Sequence, residues 1–270
     1  MKLHIYKYHG AGNDFVIIDN RSGNINLTDD DVRFLCHRRF GVGADGLMLL
    51  GSGEGCDFTM RYFNSDGPEG TMCGNGGRCI VAFASLMGIK KFEFQAIDGY
   101  HRAEILSQEG NRSLVRLKMR DLDSVTKFPE GYCLDTGSDH FVLFVDNVAD
   151  MDVFHEGCKW RHDSRFPAGT NVNFVQDLGN ELFVRTFERG VEDETLACGT
   201  GVTASSISAY LAGSKSYTRE MVNGKEHIKF NIKALGDNLS VDFVHIGKES
   251  FRDVYLTGPA TLVFEADIEI

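Results

Sequence analysis

The sequence contains no apolar run long enough to span a bilayer as a helix. It is also short of positive charge: 28 lysines and arginines stand against 39 aspartates and glutamates, a net charge of −11. That balance argues against nucleic acid or an anionic membrane as a partner. It leaves room for a small anionic substrate, which senses only local charge. No Cys-x-x-Cys occurs, and Cys73 and Cys79 are too far apart for the usual zinc spacing, so no metal site is expected. There is no Walker A sequence, no Gly-x-Gly-x-x-Gly between a strand and a helix, and no lysine site suited to pyridoxal phosphate, so no cofactor is expected. The opening residues, MKLHIYKYHG, place His4, Lys7 and His9 among the apolar side chains, unlike a signal peptide; the expected location is cytoplasmic. Only 4 prolines, with 42% hydrophobic and 25% charged residues, give the composition of a soluble globular protein.

What the chain has is glycine and cysteine. An odd, scattered set of seven cysteines without an export signal reads as thiols, not as a disulfide framework. Two of the seven stand directly before Gly-x-Gly: Cys73-Gly74-Asn75-Gly76 and Cys198-Gly199-Thr200-Gly201. Each opens a run without a polar face, CIVAFASL from Cys79 and VTASSISAYL from Val202. Such a run predicts an enclosed helix. A glycine-rich helix entry presents backbone N–H groups and the positive end of the helix dipole, which hold a carboxylate and lower the pKa of a thiol placed there.

Taken in order, residues 2–8 and 15–19 read as strands around a Gly10–Asp14 break. A helix starts at Thr28, with acids in its first turn, and runs to about Arg38. Gly41–Gly46 reads as a loop feeding a strand at 47–50, and residues 57–64 as another strand, with a turn before the Cys73 helix. Further strands are expected at 92–96, 101–107 and 112–119. Shifted by about 126 residues, most of this recurs. The stretch Gly12–Asn20 matches Gly137–Asn147, Gly43-Ala44-Asp45 matches Gly169-Thr170-Asn171, and Arg61–Asn64 matches Arg185–Glu188. Glu69 precedes Cys73 as Glu194 precedes Cys198. A period this long indicates duplicated domains. The expected fold is α/β (α+β): two homologous pseudo-symmetric domains, each a curved, mainly antiparallel sheet wrapped around a central helix. The expected boundaries are 1–120 for an N-terminal lobe carrying Cys73, joined by 260–270, and 121–259 for a C-terminal lobe carrying Cys198.

Paired thiols at carboxylate-binding helix entries suit the removal and return of an α-proton. One thiolate takes the proton from one face of the carbon, a thiol delivers a proton to the other, and the donors around the carboxylate disperse the carbanion charge. Interacting thiols titrate as a pair. At this point the residues match a family. KYHGAGNDFVIID, RYFNSDGPEGTMCGNGGRC, FPAGTNVNFV and FERGVEDETLACGTG resemble the diaminopimelate epimerases of lysine and cell-wall precursor synthesis, in order over residues 6–201. The resemblance implies that Cys73 and Cys198 are the acid/base pair acting on LL-2,6-diaminopimelate to give the meso form. It implies that Gly74, Asn75, Gly199 and Thr200 bind the reacting carboxylate, and that Asn13, Asn64, Asn171 and Arg189 grip the rest of the substrate. Glu188 matches a substrate contact that, with His140, tunes the thiol pKa values; the family resemblance also implies a homodimer. The chain departs from the common pattern at Asp45-Gly46, at Ser138-Asp139-His140, and by one extra residue between Arg189 and Cys198. Competing readings are a proline or hydroxyproline racemase, a thiol–disulfide switch, and an amino-acid-binding protein. Cys36, Cys56, Cys79, Cys133 and Cys158 are expected to be core residues.

Overall fold

In the computed structural model, which describes residues 1–270, the chain divides into two compact lobes. Residues 1–117 and 258–270 form one, and residues 118–257 the other.

The first lobe opens with strands β1 (Lys2–Gly10) and β2 (Asn13–Asp19), joined by Ala11-Gly12. Both turn residues have positive φ, 54° and 89°, the backbone of a tight hairpin whose twist matches its strands. The break expected at Gly10–Asp14 is therefore only these two residues, because the flanking positions pair as Gly10↔Asn13 and His9↔Asp14. Helix α1 (Asp29–Cys36) begins with a reciprocal cap between Thr28 and Asp31. It stops short of Arg38: His37 turns extended, and its ring accepts the backbone N–H groups of Arg39 and Phe40. Then follow β3 (Gly46–Ser52), β4 (Phe58–Asn64), the short β5 (Glu69–Gly70), helix α2 (Gly74–Leu86), β6 (Phe92–Ala96), β7 (Gly99–Glu109) and β8 (Arg112–Lys118). Gly46, read from sequence as the end of a loop, is the first residue of β3.

The second lobe repeats this order. It contains β9 (Thr126–Lys127), β10 (Gly131–Asp135), β11 (Asp139–Phe144), α3 (Val153–Arg161), β12 (Asn171–Asp177), β13 (Leu182–Glu188), β14 (Asp193–Thr195), α4 (Gly199–Ala212), β15 (Tyr217–Val222), β16 (Lys225–Lys233) and β17 (Asn238–Gly247). The last strand, β18 (Ser250–Glu269), starts in the second lobe and finishes in the first.

Strand pairing shows why each lobe encloses a helix. In the first, β1 pairs with β2, β2 with β3, β3 with β4, β4 with β6, β6 with β7, β7 with β8 and β8 with β18. β18 pairs back with β1, which closes a ring with no open edge. All are antiparallel except β2–β3 and β4–β6. In the second lobe β10 pairs with β11, β11 with β12, β12 with β13, β13 with β16, β16 with β17 and β17 with β18, and the parallel pairs are again two, β11–β12 and β13–β16. Each parallel β-pair that brackets a helix, α1 or α3, needs that crossover to return the chain.

Inside, every residue of α2 from Gly74 to Ala84 is buried, and Tyr6 of β1 packs on Phe83 with ring centroids 4.7 Å apart. Helix α4 is buried from Gly201 to Ala209 although it carries hydroxyls. Thr203, Ser205 and Ser206 satisfy theirs on the carbonyls one turn back, at 2.8–2.9 Å, so the helix tolerates enclosure. On the outer side of the first sheet, α1 covers a second core of Leu3, Ile5, Val16, Ile18, Leu47 and Leu49.

Candidate active site

Cys73 is the N-cap of α2: its backbone is extended (φ −98°, ψ 150°), and its Sγ accepts the Gly76 N–H at 3.2 Å. The first amides of a helix point out of its N-terminal end, so Gly74 and Asn75 direct theirs toward the cysteine side. Asn75 is buried and locked on both sides. Its Oδ1 accepts from Arg78 Nη2 at 2.9 Å, and its Nδ2 donates to Asn13 Oδ1 at 3.3 Å. Asn13 in turn donates to Asp45 at 2.6 Å. Asp45 and Asp14 are tied by Arg38, and Lys7 donates to Asp14 and to the Gly43 carbonyl. Burial pushes the Asp14 carboxyl up, but Arg38 and Lys7 outweigh it and hold it at about 2. Asn64 ends β4 opposite Gly46, its Nδ2 lying 2.9 Å from where a side chain on Gly70 would begin. The first lobe thus brings Cys73, Gly74, Asn75 and Asn13 together, with Asn64 at the end of a neighbouring strand.

Cys198 holds the equivalent place as N-cap of α4, buried and without a side-chain cap bond. Its Sγ lies 3.4 Å from Thr200 Oγ1, which lies 2.9 Å from His140 Nε2. Ser138 Oγ is 3.0 Å from the same nitrogen and 3.3 Å from Thr200 Oγ1. The other ring nitrogen, Nδ1, is 2.8 Å from Asn173 Oδ1. Asn173 spends its amide donor on Thr186 Oγ1 at 2.7 Å, so the His140 proton sits on Nδ1 and Nε2 accepts. Nε2 has one lone pair for two hydroxyls. When Thr200 donates to it, the Thr200 oxygen can accept a Cys198 S–H; when Ser138 donates, the Thr200 proton can turn to a Cys198 thiolate. The hydroxyl therefore serves either protonation state of the sulfur.

Asn171 braces the arrangement, donating to Ser138 Oγ and the Asp139 carbonyl and accepting the Arg189 N–H at 2.9 Å. The Arg189 guanidinium reaches the Gly169 carbonyl at 3.1 Å, with Asp139 at 3.8 Å. Glu188 accepts the Thr195 hydroxyl at 2.9 Å. The second lobe thus gathers Cys198, Gly199, Thr200, His140 and Asn171, with Glu188 and Arg189 at the end of β13. Sequence reasoning missed Ser138 as a contact, and also Asn173 and Thr136, whose hydroxyl holds the Thr200 carbonyl at 2.8 Å. The available signal was the alternation in Asn171-Val172-Asn173, which puts both amides on one face of β12.

Three of the other thiols are held back by their surroundings. Burial pushes Cys36 up to about 12 and raises Cys79 and Cys133 as well. Cys56, Cys133 and Cys158 are only partly buried, which corrects the expectation that all five sit in the core: Cys133 and Cys158 pack against the core around Phe141 and Phe174 without being enclosed by it, and Cys56 stands in the loop between β3 and β4.

His140 is fully enclosed, and burial lowers its pKa from 6.5 to about 4, partly countered by the Asn173 bond. Between these values the unfolded chain takes up a proton that the native protein refuses. Native stability should therefore fall as pH drops from about 6.5 toward about 4. In His140→Gln this component should be absent, leaving a shallower dependence; urea midpoints measured across that interval for both proteins would show parallel slopes if the assignment were wrong.

The family model described as Diaminopimelate epimerase matches residues 5–120 and 132–263. The chain is 42% identical, over 278 aligned positions, to a diaminopimelate epimerase of Flavobacterium psychrophilum, covering 98% of this chain and 100% of that one. It is 44% identical over 269 positions to the diaminopimelate epimerase of Chlorobaculum tepidum, covering 97% and 99%. Among solved structures, a phenazine biosynthesis protein of the PhzF family from Bacillus anthracis superposes with a TM-score of 0.74 at 15% identity, over 100% of both chains. A probable proline racemase from Agrobacterium radiobacter gives 0.66 at 14% identity, covering 99% and 93%. These two likenesses carry the fold, a mixed α+β architecture of two repeated domains; the sequence relationships carry the family. The chain belongs to the diaminopimelate epimerase family.

Proposed function

We propose that this chain inverts one α-carbon of 2,6-diaminopimelate, converting the LL to the meso form for lysine and cell-wall precursor synthesis. In this reading Cys73 and Cys198 are the acid/base pair and no cofactor takes part. One observation carries it: in each of two repeated domains a cysteine is the N-cap of a helix enclosed by its sheet. That position puts a thiol beside amides suited to a carboxylate and in a field that favours the thiolate. One thiolate removes the α-proton, the amides of Gly74, Asn75, Gly199 and Thr200 disperse the charge on the carboxylate, and the other thiol protonates the opposite face. Reversal exchanges the two roles. The Thr200 hydroxyl, able to donate or accept, supports Cys198 in both. Asn13, Asn64, Asn171, Glu188 and Arg189 hold the amino and carboxylate groups, and His140 with Glu188 sets the thiol protonation.

The reading includes a cytoplasmic homodimer. Its support is the acidic, cysteine-containing composition and the exposed apolar side chains Leu114, Val263 and Phe264 on β8 and β18.

In D2O the protein should wash deuterium into Cα of LL- and meso-diaminopimelate without added cofactor, as followed by proton NMR. It should leave proline untouched. Exchange into proline but not diaminopimelate would move the chain to the racemase alternative, whose fold it shares. A reversible disulfide as the active state would instead favour the thiol switch.

A further inference from the structure

Gly46 poses a question that its backbone does not answer, since it lies within a regular strand and needs no left-handed conformation. The reason is its neighbour across the sheet. A Cβ on Gly46 would lie 2.5 Å from Tyr62 Cε2 and 2.9 Å from Tyr62 Oη, with the Phe63 carbonyl at 2.7 Å. The space of a side chain at position 46 is filled by the Tyr62 ring.

Strand register places that ring. Met48 and Met60 lie under the Cys73 loop, 3.4 and 3.6 Å from where a side chain on Gly76 would begin. Gly46 and Tyr62 are each two residues further along β3 and β4, on the same face, about 7 Å away. Asn64 is opposite Gly46 in the ladder, and Phe15, two residues past Asn13, pairs with Gly46 from β2. Tyr62 is half-buried, with one ring edge on Gly46 and the other on Gly70, where the Cδ1 distance is 3.3 Å. The tyrosine therefore stands among strands that carry Asn13 and Asn64, one step removed from the thiol.

We infer that Tyr62 is a specificity-determining residue, presenting its hydroxyl to the end of the substrate remote from the reacting carbon. The inference rests on the epimerase reading above. It deepens that reading by assigning the distal contact to β4, at the place where Gly46 offers no side chain. A phenol suits this end because it can donate to a carboxylate or accept from an ammonium.

The test is Tyr62→Phe, which keeps the ring that fills the space over Gly46. Three probes are compared in Cα exchange: diaminopimelate, 2-aminopimelate, which lacks the distal amine, and lysine, which lacks the distal carboxylate. Loss of a hydrogen bond to a charged group should raise KM for diaminopimelate roughly tenfold, with kcat nearly unchanged. The same loss should appear with whichever truncated probe retains the bonded group and vanish with the other. Tyr62→Leu should in addition relax selection between full-length and truncated substrates. Equal kinetics for wild type and Tyr62→Phe on all three probes would overturn the assignment. So would a loss of equal size on all three, which would mark a merely structural role. If the wild type exchanged none of them, the epimerase reading itself would fall, a different outcome from either.

Discussion

Replacing Cys73 by serine should lower the rate of inversion by a factor on the order of 10³ while leaving the fold intact. Serine keeps the cap: its oxygen can accept the Gly76 N–H now held by Sγ, and serine is among the preferred N-cap residues. What it lacks is acidity, since an alcohol stays protonated where a thiol at a helix N-terminus can ionise. Stability and chemistry are thus separated at one atom. Cys198→Ser should lose inversion to a similar extent, with less change in stability because Cys198 caps nothing through its side chain. The pair of variants has a sharper signature than loss of activity. Each keeps one thiol, so each should still exchange the α-proton of the configuration whose hydrogen faces that thiol, without inverting it. The surviving exchange should favour opposite configurations in the two variants. Chiral chromatography combined with mass spectrometry reads both quantities, and undiminished inversion by either variant would falsify the two-thiol assignment.

Arg78→Met should destabilise the first lobe by about 3 kcal/mol or more. Arg78 is the largest fully buried side chain of the protein. Its guanidinium donates to the Gly74 carbonyl at 3.1 Å, to Asn75 Oδ1 at 2.9 Å and to the Pro259 carbonyl at 3.3 Å. Methionine fills much of the stem volume but supplies none of these donors, and an enclosed acceptor left without one costs its full desolvation. The effect should be visible as a drop in thermal midpoint on the order of 10 °C. Catalysis should suffer too, below the melting range, because Arg78 fixes the amide orientation that turns Asn75 Nδ2 toward Asn13. A rise in KM for diaminopimelate should accompany the loss of stability. An unchanged denaturation midpoint would show that the guanidinium is not the anchor its burial suggests.

Helix α2 and helix α4 were legible because their apolar character leaves no face for water, and a helix of that kind has to be enclosed by whatever surrounds it. The cysteine before Gly-x-Gly was legible because capping is a local matter, settled within four residues. Arg78 was passed over for a related reason: it is one residue outside the apolar run, where arginine normally signals solvent. Only the turn of α2 toward β18 makes it a buried donor. The network around His140 was harder to foresee. Thr136 and Ser138 sit in the loop between β10 and β11, Asn173 on β12 and Thr186 on β13, and their convergence depends on the parallel register that sets His140 beside Asn171. No spacing along the chain contains that register. Glu188 and Arg189 could have formed an exposed ion pair as sequence neighbours. Glu188 ends β13 and Arg189 opens the turn after it, and the two part company there, the carboxylate going to Thr195 and the guanidinium to the Gly169 carbonyl.

The ring of strands in the first lobe has a consequence for how the chain must be made. β1 and β8 are both completed by the second half of β18, so neither has its final neighbour until residues 258–269 emerge. Between them and Leu117 lies the whole second lobe. At ordinary rates of synthesis that interval lasts on the order of ten seconds, during which two strand edges of the first lobe stand open. The second lobe, by contrast, has all its strands in one continuous stretch. The lobe translated first is thus the lobe finished last, and the nascent chain spends that interval with its Cys73 helix incompletely walled.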